Sequence, residues 1–172
     1  MPNTSPELFP LDLRERAAAL LDVARAGGIK IATAESCTGG LIAALLTEIP
    51  GSSDVFDRGY VTYSNAAKTE SLGVPANIIE QHGAVSREVA MAMADGAAAH
   101  AQTVIAISVT GIAGPDGGTA QKPVGLVHLA IHRKGRLTRH LECRFGDIGR
   151  TAVRMATVRE ALNLLDQFLT KD

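Results

Sequence analysis

The stretch IKIATAESCTGGLIAALL, residues 29–46, decides the fold. Residues 29–33 form a short apolar run and read as a buried strand. Residues 41–46 are apolar without a break and read as a buried helix opened by Gly39 and Gly40. The polar cluster Glu35-Ser36-Cys37-Thr38 lies between them, so Ser36 falls at the carboxyl end of a strand. In open α/β sheets ligands bind outside those ends, and the free N–H groups of a following helix favour an anion or a developing oxyanion. The simpler reading is that Ser36 or Thr38 only caps the helix. A cap accounts for one polar residue of the cluster, not for all of them.

Working outward, helical and strand patterns alternate. Asp12 with Glu15 three residues on reads as a capping box, after which Leu13, Ala17, Leu20, Leu21 and Ala24 keep helical spacing until Gly27-Gly28. Further strands are expected over residues 55–63, 104–109, 124–131 and 137–145, the last two joined by the short turn 133–136 as an antiparallel hairpin. Ser64 to Lys68 enters a helix that runs on to Leu72-Gly73-Val74. Ser86 caps a long Ala- and Met-rich helix reaching about His100, whose small side chains suit close packing on a sheet. A final helix from about Thr151 shows Val158, Ala161, Leu162, Leu165, Phe168 and Leu169 on one face. The expected architecture is a three-layer α/β/α sandwich with a mixed, mainly parallel five-stranded sheet, built as one domain over residues 1–172. No repeat, low-complexity tract or linker interrupts it.

Composition removes several classes of function. Lys plus Arg number 17 against 18 acids, and with no Trp, two Tyr and four Phe there is neither a basic footprint nor stacking equipment for nucleic acid. Cys37 and Cys143 lie far apart without metal or disulfide spacing, which points to reduced thiols in a cytoplasm, Cys37 reading as a small buried residue. No apolar run approaches the roughly 18 residues of a membrane span, and residues 1–10 lack a signal pattern. His82, His100, His128, His132 and His140 form no ligand motif, so no metal is expected. The 46% apolar content leaves surface for a two-fold homodimer, the expected assembly.

Three more segments place polar or glycine-rich chemistry at strand ends. GYVTYSNAAK, residues 59–68, leaves the second strand and brings Lys68 one turn past Ser64. TGIAGPDGG, residues 110–118, follows the third strand; it is neither a Walker loop nor GxGxxG, but its glycines let backbone N–H groups come close to a ligand. FGDIGR, residues 145–150, opens the last helix with Arg150, and Arg154 follows one turn later. Either arginine is a phosphate clamp or a surface ion-pair partner.

The strings AESCTGG, GYVTYSNAAK followed by LGV, GAVS, TGIAGPDGG and KPVG stand here in the order found in the CinA C-terminal family, also called the PncC nicotinamide-mononucleotide deamidases. The chain resembles that family from about Ile31 to Leu165. The resemblance implies a five-stranded mixed sheet, hydrolysis of the carboxamide of nicotinamide mononucleotide to nicotinate mononucleotide and ammonia, and a nucleophile in AESCTGG. It also implies the stand-alone form, without the extra N-terminal domain of larger CinA proteins. Two departures are present: Ile148-Gly149 separates FGD from Arg150, and Ser108-Val109 precedes TGIAGP.

The residue chemistry fits an amidase. An amide needs a nucleophile, a base, an acid for departing ammonia and donors for the tetrahedral oxyanion. Ser36 and Lys68 supply the first three, provided burial makes neutral Lys68 accessible. Ser64 is the rival nucleophile, four residues before Lys68. Tyr63 is a proton relay to Ser36 or Lys68, or only an aromatic at a strand end. Glu35 holds Lys68 or the substrate amide, or pairs elsewhere. Thr38, Gly39, Thr110, Gly111, Gly114 and Arg150 are expected to bind the nucleotide, with Arg150 or Arg154 near phosphate. No diffusible cofactor is needed. A different carboxamide substrate, or a nucleotide-binding regulatory module linked to competence or DNA damage, is the alternative; turnover of the mononucleotide separates them.

Overall fold

A computed structural model describes residues 7–170. In chain order the elements are α1 (Leu11–Ala26), β1 (Ile31–Glu35), α2 (Leu41–Thr47), β2 (Phe56–Val61), α3 (Asn65–Leu72), α4 (Ala76–His82), α5 (Arg87–Ala101), β3 (Ile105–Gly111), β4 (Leu126–Arg133), β5 (Arg139–Arg144) and α6 (Arg150–Thr170). The sheet order is β2-β1-β3-β4-β5. β1 pairs in parallel with β2 and with β3, whereas β4 is antiparallel to both β3 and β5, so every strand but β4 runs the same way.

Side-chain size divides the two faces of the sheet. Along β3, Ile105, Ile107 and Val109 meet α1, α2 and α6 in the main core, while Ala106 faces α5 together with Ala32 and Ala34 of β1. Strands covered on both faces read as nearly continuous apolar runs, which is why β1 and β3 were visible in the sequence. The small-residue face lets the alanine-rich α5 sit close. Ser108 Oγ donates to Ala90 O of α5 at 2.6 Å, and a Cβ at Gly96 would overlap the Leu72 carbonyl oxygen of α3. The three-layer mixed sheet is the expected one.

Several local expectations differ in detail. Ser86 caps α5, accepting from Val89 N at 3.3 Å, as read. The capping box at Asp12 does not form: α1 begins after Pro10 without a side-chain cap, and Asp12 pairs with Arg159 of α6. The helix starts at Leu11, so Asp12 lies inside its first turn and not at the cap position. β1 lies two residues later than read, so Glu35 is its last residue and Ser36 the first beyond the sheet. β4 starts at Leu126 because Gly125 turns the chain with φ 87°. Helix α4 was not foreseen, since only Ile79 of its seven residues is buried and no apolar periodicity marks it. Among the described residues no helix is long and apolar enough to cross a membrane.

Candidate active site

The carboxyl ends of β1, β2 and β3 converge on one pocket. β2 and β3 lie on opposite sides of β1, so the chain leaves β1 in one direction and returns on the other, which opens a crevice at that point of the sheet. Ser36 begins the turn after β1, held in line by its N–H donating to Val109 O at 3.0 Å. Lys68 lies on the first turn of α3. The buried positions of that helix are Lys68 and Leu72, four residues apart, so the lysine occupies a core position of its own helix.

Lys68 is 1% exposed and Ser36 8%. Lys68 Nζ lies 3.1 Å from Ser36 Oγ, 2.8 Å from the Thr62 carbonyl oxygen and 3.2 Å from that of Tyr63. No carboxylate among the described residues forms an ion pair with it. Burial pushes its pKa below the ordinary 10.5. A Cys37 thiolate would act the other way, but burial raises that thiol to about 11 and keeps it neutral. The three oxygens match the three N–H groups of the ammonium; in the neutral amine two N–H groups serve the carbonyls and the lone pair is left for the Ser36 hydroxyl proton. Ser64, the rival nucleophile, is exposed and caps α3 by accepting from Ala67 N at 3.1 Å.

Glu35 takes a role the sequence did not suggest. Its carboxylate, fully buried, accepts from Gly40 N and Ile42 N at 3.1 Å and from Ala43 N at 2.9 Å. It therefore caps α2 and holds neither Lys68 nor an open amide site. The same bonds correct the expectation that the opening turn of α2 offers its donors to an oxyanion, because the carboxylate already uses them.

The remaining candidates fall around this centre. Thr38 is buried, and its Oγ1 has no hydrogen-bond partner among the described residues. Arg154 donates through Nε to Cys37 O at 3.1 Å and through Nη2 to Thr38 O at 3.0 Å. A Cβ at Gly39, where φ is +58°, would lie 3.3 Å from that guanidinium. Thr110 Oγ1 donates to Ala84 O at 2.8 Å, tying the end of β3 to the GAVS loop, and at Gly111 a Cβ would strike the Leu126 carbonyl and Val127. Arg150, at the start of α6, donates to Gly114 O at 2.8 Å and to Tyr63 Oη at 3.1 Å. The Tyr63 hydroxyl is thus engaged with Arg150, while its main-chain carbonyl, rather than its ring, meets Lys68.

Ser36, Cys37, Tyr63, Lys68, Thr110 and Gly111 line a pocket of about 220 Å³, joined by Ala84 and Val85. Of the expected binding residues, Glu35, Thr38, Gly39, Gly114 and Arg150 do not line it; Arg150 connects to it through the Tyr63 hydroxyl. The sequence reading missed Ala84, Val85 and the Thr62 carbonyl, although GAVS had been among the strings in family order. Among the described residues no group of three or more His, Cys, Asp or Glu is arranged to hold a metal ion. His128 and His140 pair with each other at 2.8 Å, and His132 with Asp95 at 2.8 Å.

The profile of the CinA C-terminal domain matches residues 13–169. A CinA-like protein of Geobacter sp. (strain M21) is 51% identical over 168 residues, covering 94% of this chain and 39% of its own length. One from Citrifermentans bemidjiense is 50% identical over 171 residues, 96% of this chain and again 39% of the relative. The chain spans about a third of the length of other curated relatives. Among solved structures, the competence/damage inducible protein CihA from Agrobacterium tumefaciens superposes with a TM-score of 0.93 at 52% identity, covering 96% of this chain and all of that one. A competence-damaged protein superfamily member from Escherichia coli gives 0.87 at 34% identity, with 96% of each chain covered.

Proposed function

This chain belongs to the CinA C-terminal domain family, and on that premise we propose that it is a Ser-Lys amidohydrolase acting on the carboxamide of nicotinamide mononucleotide. The observation that carries the reading is the 3.1 Å contact of Ser36 Oγ with a buried lysine that pairs with no carboxylate among the described residues. Ser36 Oγ attacks the carboxamide carbon and its proton passes to Lys68 Nζ. The tetrahedral intermediate collapses, the C–N bond breaks, and the departing nitrogen takes that proton and leaves as ammonia. An ester on Ser36 remains. Lys68, neutral again, then draws a proton from water, whose oxygen attacks the ester carbon, and the same proton returns to Ser36 Oγ as nicotinate mononucleotide departs.

The pocket's size supports an aromatic amide as the group it encloses. At about 220 Å³ it is smaller than the ~300–1,000 Å³ usual for drug-sized ligands, so the ring enters and the ribose phosphate lies along the rim. Arg150 is the cation assigned to the phosphate, because one of its two hydrogen bonds goes to the hydroxyl of Tyr63, which lines the pocket, whereas both of Arg154's go to main-chain carbonyls of the turn after β1. Arg150→Ala is expected to raise KM for the mononucleotide by about tenfold, the scale of one charge-assisted contact, and to change that for the riboside little. Equal effects on both would remove Arg150 from the phosphate.

The pH profile follows from the direction of the Lys68 shift. The base must be neutral, so kcat/KM rises with pH through a value below 10.5 and is lost as pH falls beneath it. The sign for stability agrees. Between the lowered folded value and the unfolded one the unfolded chain binds more protons, so stability attributable to this group rises with pH across that window. A rate profile without an acid limb would argue against Lys68 as base. The decisive test of the substrate is incubation of purified protein with the mononucleotide, with detection of ammonia and nicotinate mononucleotide. No turnover would favour a binding or regulatory module.

A further inference from the structure

The turn after Ser36 carries two successive peptide groups that are held by their oxygens and left open at nitrogen. The Ser36 carbonyl accepts from Gly39 N at 3.0 Å, while the N–H of the same peptide, that of Cys37, meets only its own thiol sulfur, a weak acceptor. The next carbonyl, that of Cys37, accepts from Arg154 Nε at 3.1 Å, and the N–H of that peptide, on Thr38, has no acceptor among the described residues. Neighbouring donors are all used. Ser36 N is bonded to Val109 O, Gly39 N to Ser36 O, and Gly40, Ile42 and Ala43 N to Glu35. Cys37 and Thr38 are 6% and 0% exposed. Buried main-chain N–H groups without an acceptor are rare and costly, so an adjacent pair directly after a nucleophile marks a place for a ligand oxygen.

We infer that the Cys37 and Thr38 N–H groups form the oxyanion site for reactions at Ser36 Oγ, and that Arg154 is the positioning residue that holds and polarises it. The C=O and N–H of a trans peptide point to opposite sides. Arg154 reaches Cys37 O from α6, which packs on the sheet face shared with α1 and α2, so Thr38 N–H points away from the guanidinium, and Cys37 beside it lines the pocket. A cation on the oxygen of an amide draws electron density from its nitrogen and strengthens the N–H as a donor. Arg154 pairs with no carboxylate among the described residues, so its charge is not cancelled locally. The second bond, from Nη2 to Thr38 O, fixes the turn against rotation.

This inference rests on the Ser36–Lys68 reading, but not on the substrate. An alkyl fluorophosphonate tests it: Ser36 Oγ bonds to phosphorus, the P–F bond breaks, fluoride leaves, the hydroxyl proton goes to Lys68 Nζ, and the phosphoryl oxygen takes the oxyanion place. Removing an oxyanion donor outright costs about 10²–10³ in rate, so Arg154→Gln, which only weakens the site, is expected to slow labelling of Ser36 by about 10- to 100-fold. Guanidinium ion added to Arg154→Ala should restore part of the rate. In the unsubstituted protein the Cys37 and Thr38 amide protons should move downfield on labelling, a response that a purely structural arginine would not predict. Equal labelling rates in Arg154→Gln and unsubstituted protein overturn the inference alone. Unmoved amide resonances also overturn it, and they decide the matter should Arg154→Gln fail to fold. If Ser36 of the unsubstituted protein is not labelled at all, the nucleophile falls and the inference with it.

Discussion

Ser36→Ala and Lys68→Met are each expected to lower kcat/KM for the carboxamide by about 10³-fold or more, and the double variant to lose scarcely more than either alone. The nonadditivity follows from the geometry. In the proposed mechanism Ser36 Oγ and Lys68 Nζ, 3.1 Å apart, act on one proton, so removing either leaves the other without a task. Folding should survive. Methionine matches the unbranched lysine stem and fills the buried position, and it no longer places an ionisable group out of water. Against that, the Thr62 and Tyr63 carbonyls lose a donor. Unpaired carbonyls are tolerated better than unpaired N–H groups, and the two effects oppose, so the melting temperature should move by only a few degrees. Retention of a tenth or more of the activity in either single variant, with the protein folded, would remove the pair from the chemistry.

Glu35→Ala is expected to be the most damaging change to stability near the site, at about 3–5 kcal/mol, because hydrogen bonds to a charged acceptor contribute about 1.5–3 kcal/mol and three N–H groups lose theirs at once. Gly40, Ile42 and Ala43 form the opening turn of α2, and no water-facing route replaces a fully buried acceptor. Total stability of a domain is commonly about 5–15 kcal/mol, so the variant should show a sharply lower urea midpoint. Glu35→Gln should fall between, since its amide keeps one oxygen acceptor but turns an NH₂ group toward donors. Activity should fall with the cap, as Ser36 is the adjacent residue. A loss under about 1 kcal/mol for Glu35→Ala would show that water or a shifted turn satisfies these groups instead.

The contrast between Ser64 and Ser36 shows where reading a sequence stops. Both stand at strand ends before helices, and the Ser64 spacing to Lys68 looks the better match on a helical wheel. Ser64 nonetheless ends as an exposed cap, while Ser36, 32 positions from Lys68, meets its amine. Glu35 and Arg154 tell the same story from the charged residues. A lone carboxylate or guanidinium in a sequence reads as solvated, and nothing local announces that the acid closes a helix end or that the arginine reaches carbonyls 116 and 117 positions away.

What the sequence by itself determined was the succession of strands and helices, the two-sided burial of β1 and β3, and the presence of a polar turn at the end of β1. Those features are written in the spacing of apolar residues and glycines, which acts over a few neighbouring positions. The family strings implied a nucleophile in AESCTGG, and the chemistry an amide requires led to the expectation that Lys68 serves it. Only the tertiary structure decided that Lys68 is buried without an ion-pair partner among the described residues, that Glu35 consumes the helix donors, that the Tyr63 hydroxyl turns to Arg150, and that Arg154 grips the turn after β1. Burial and hydrogen-bond choice are settled by which groups come within about 3 Å in space, and chain distance does not encode that.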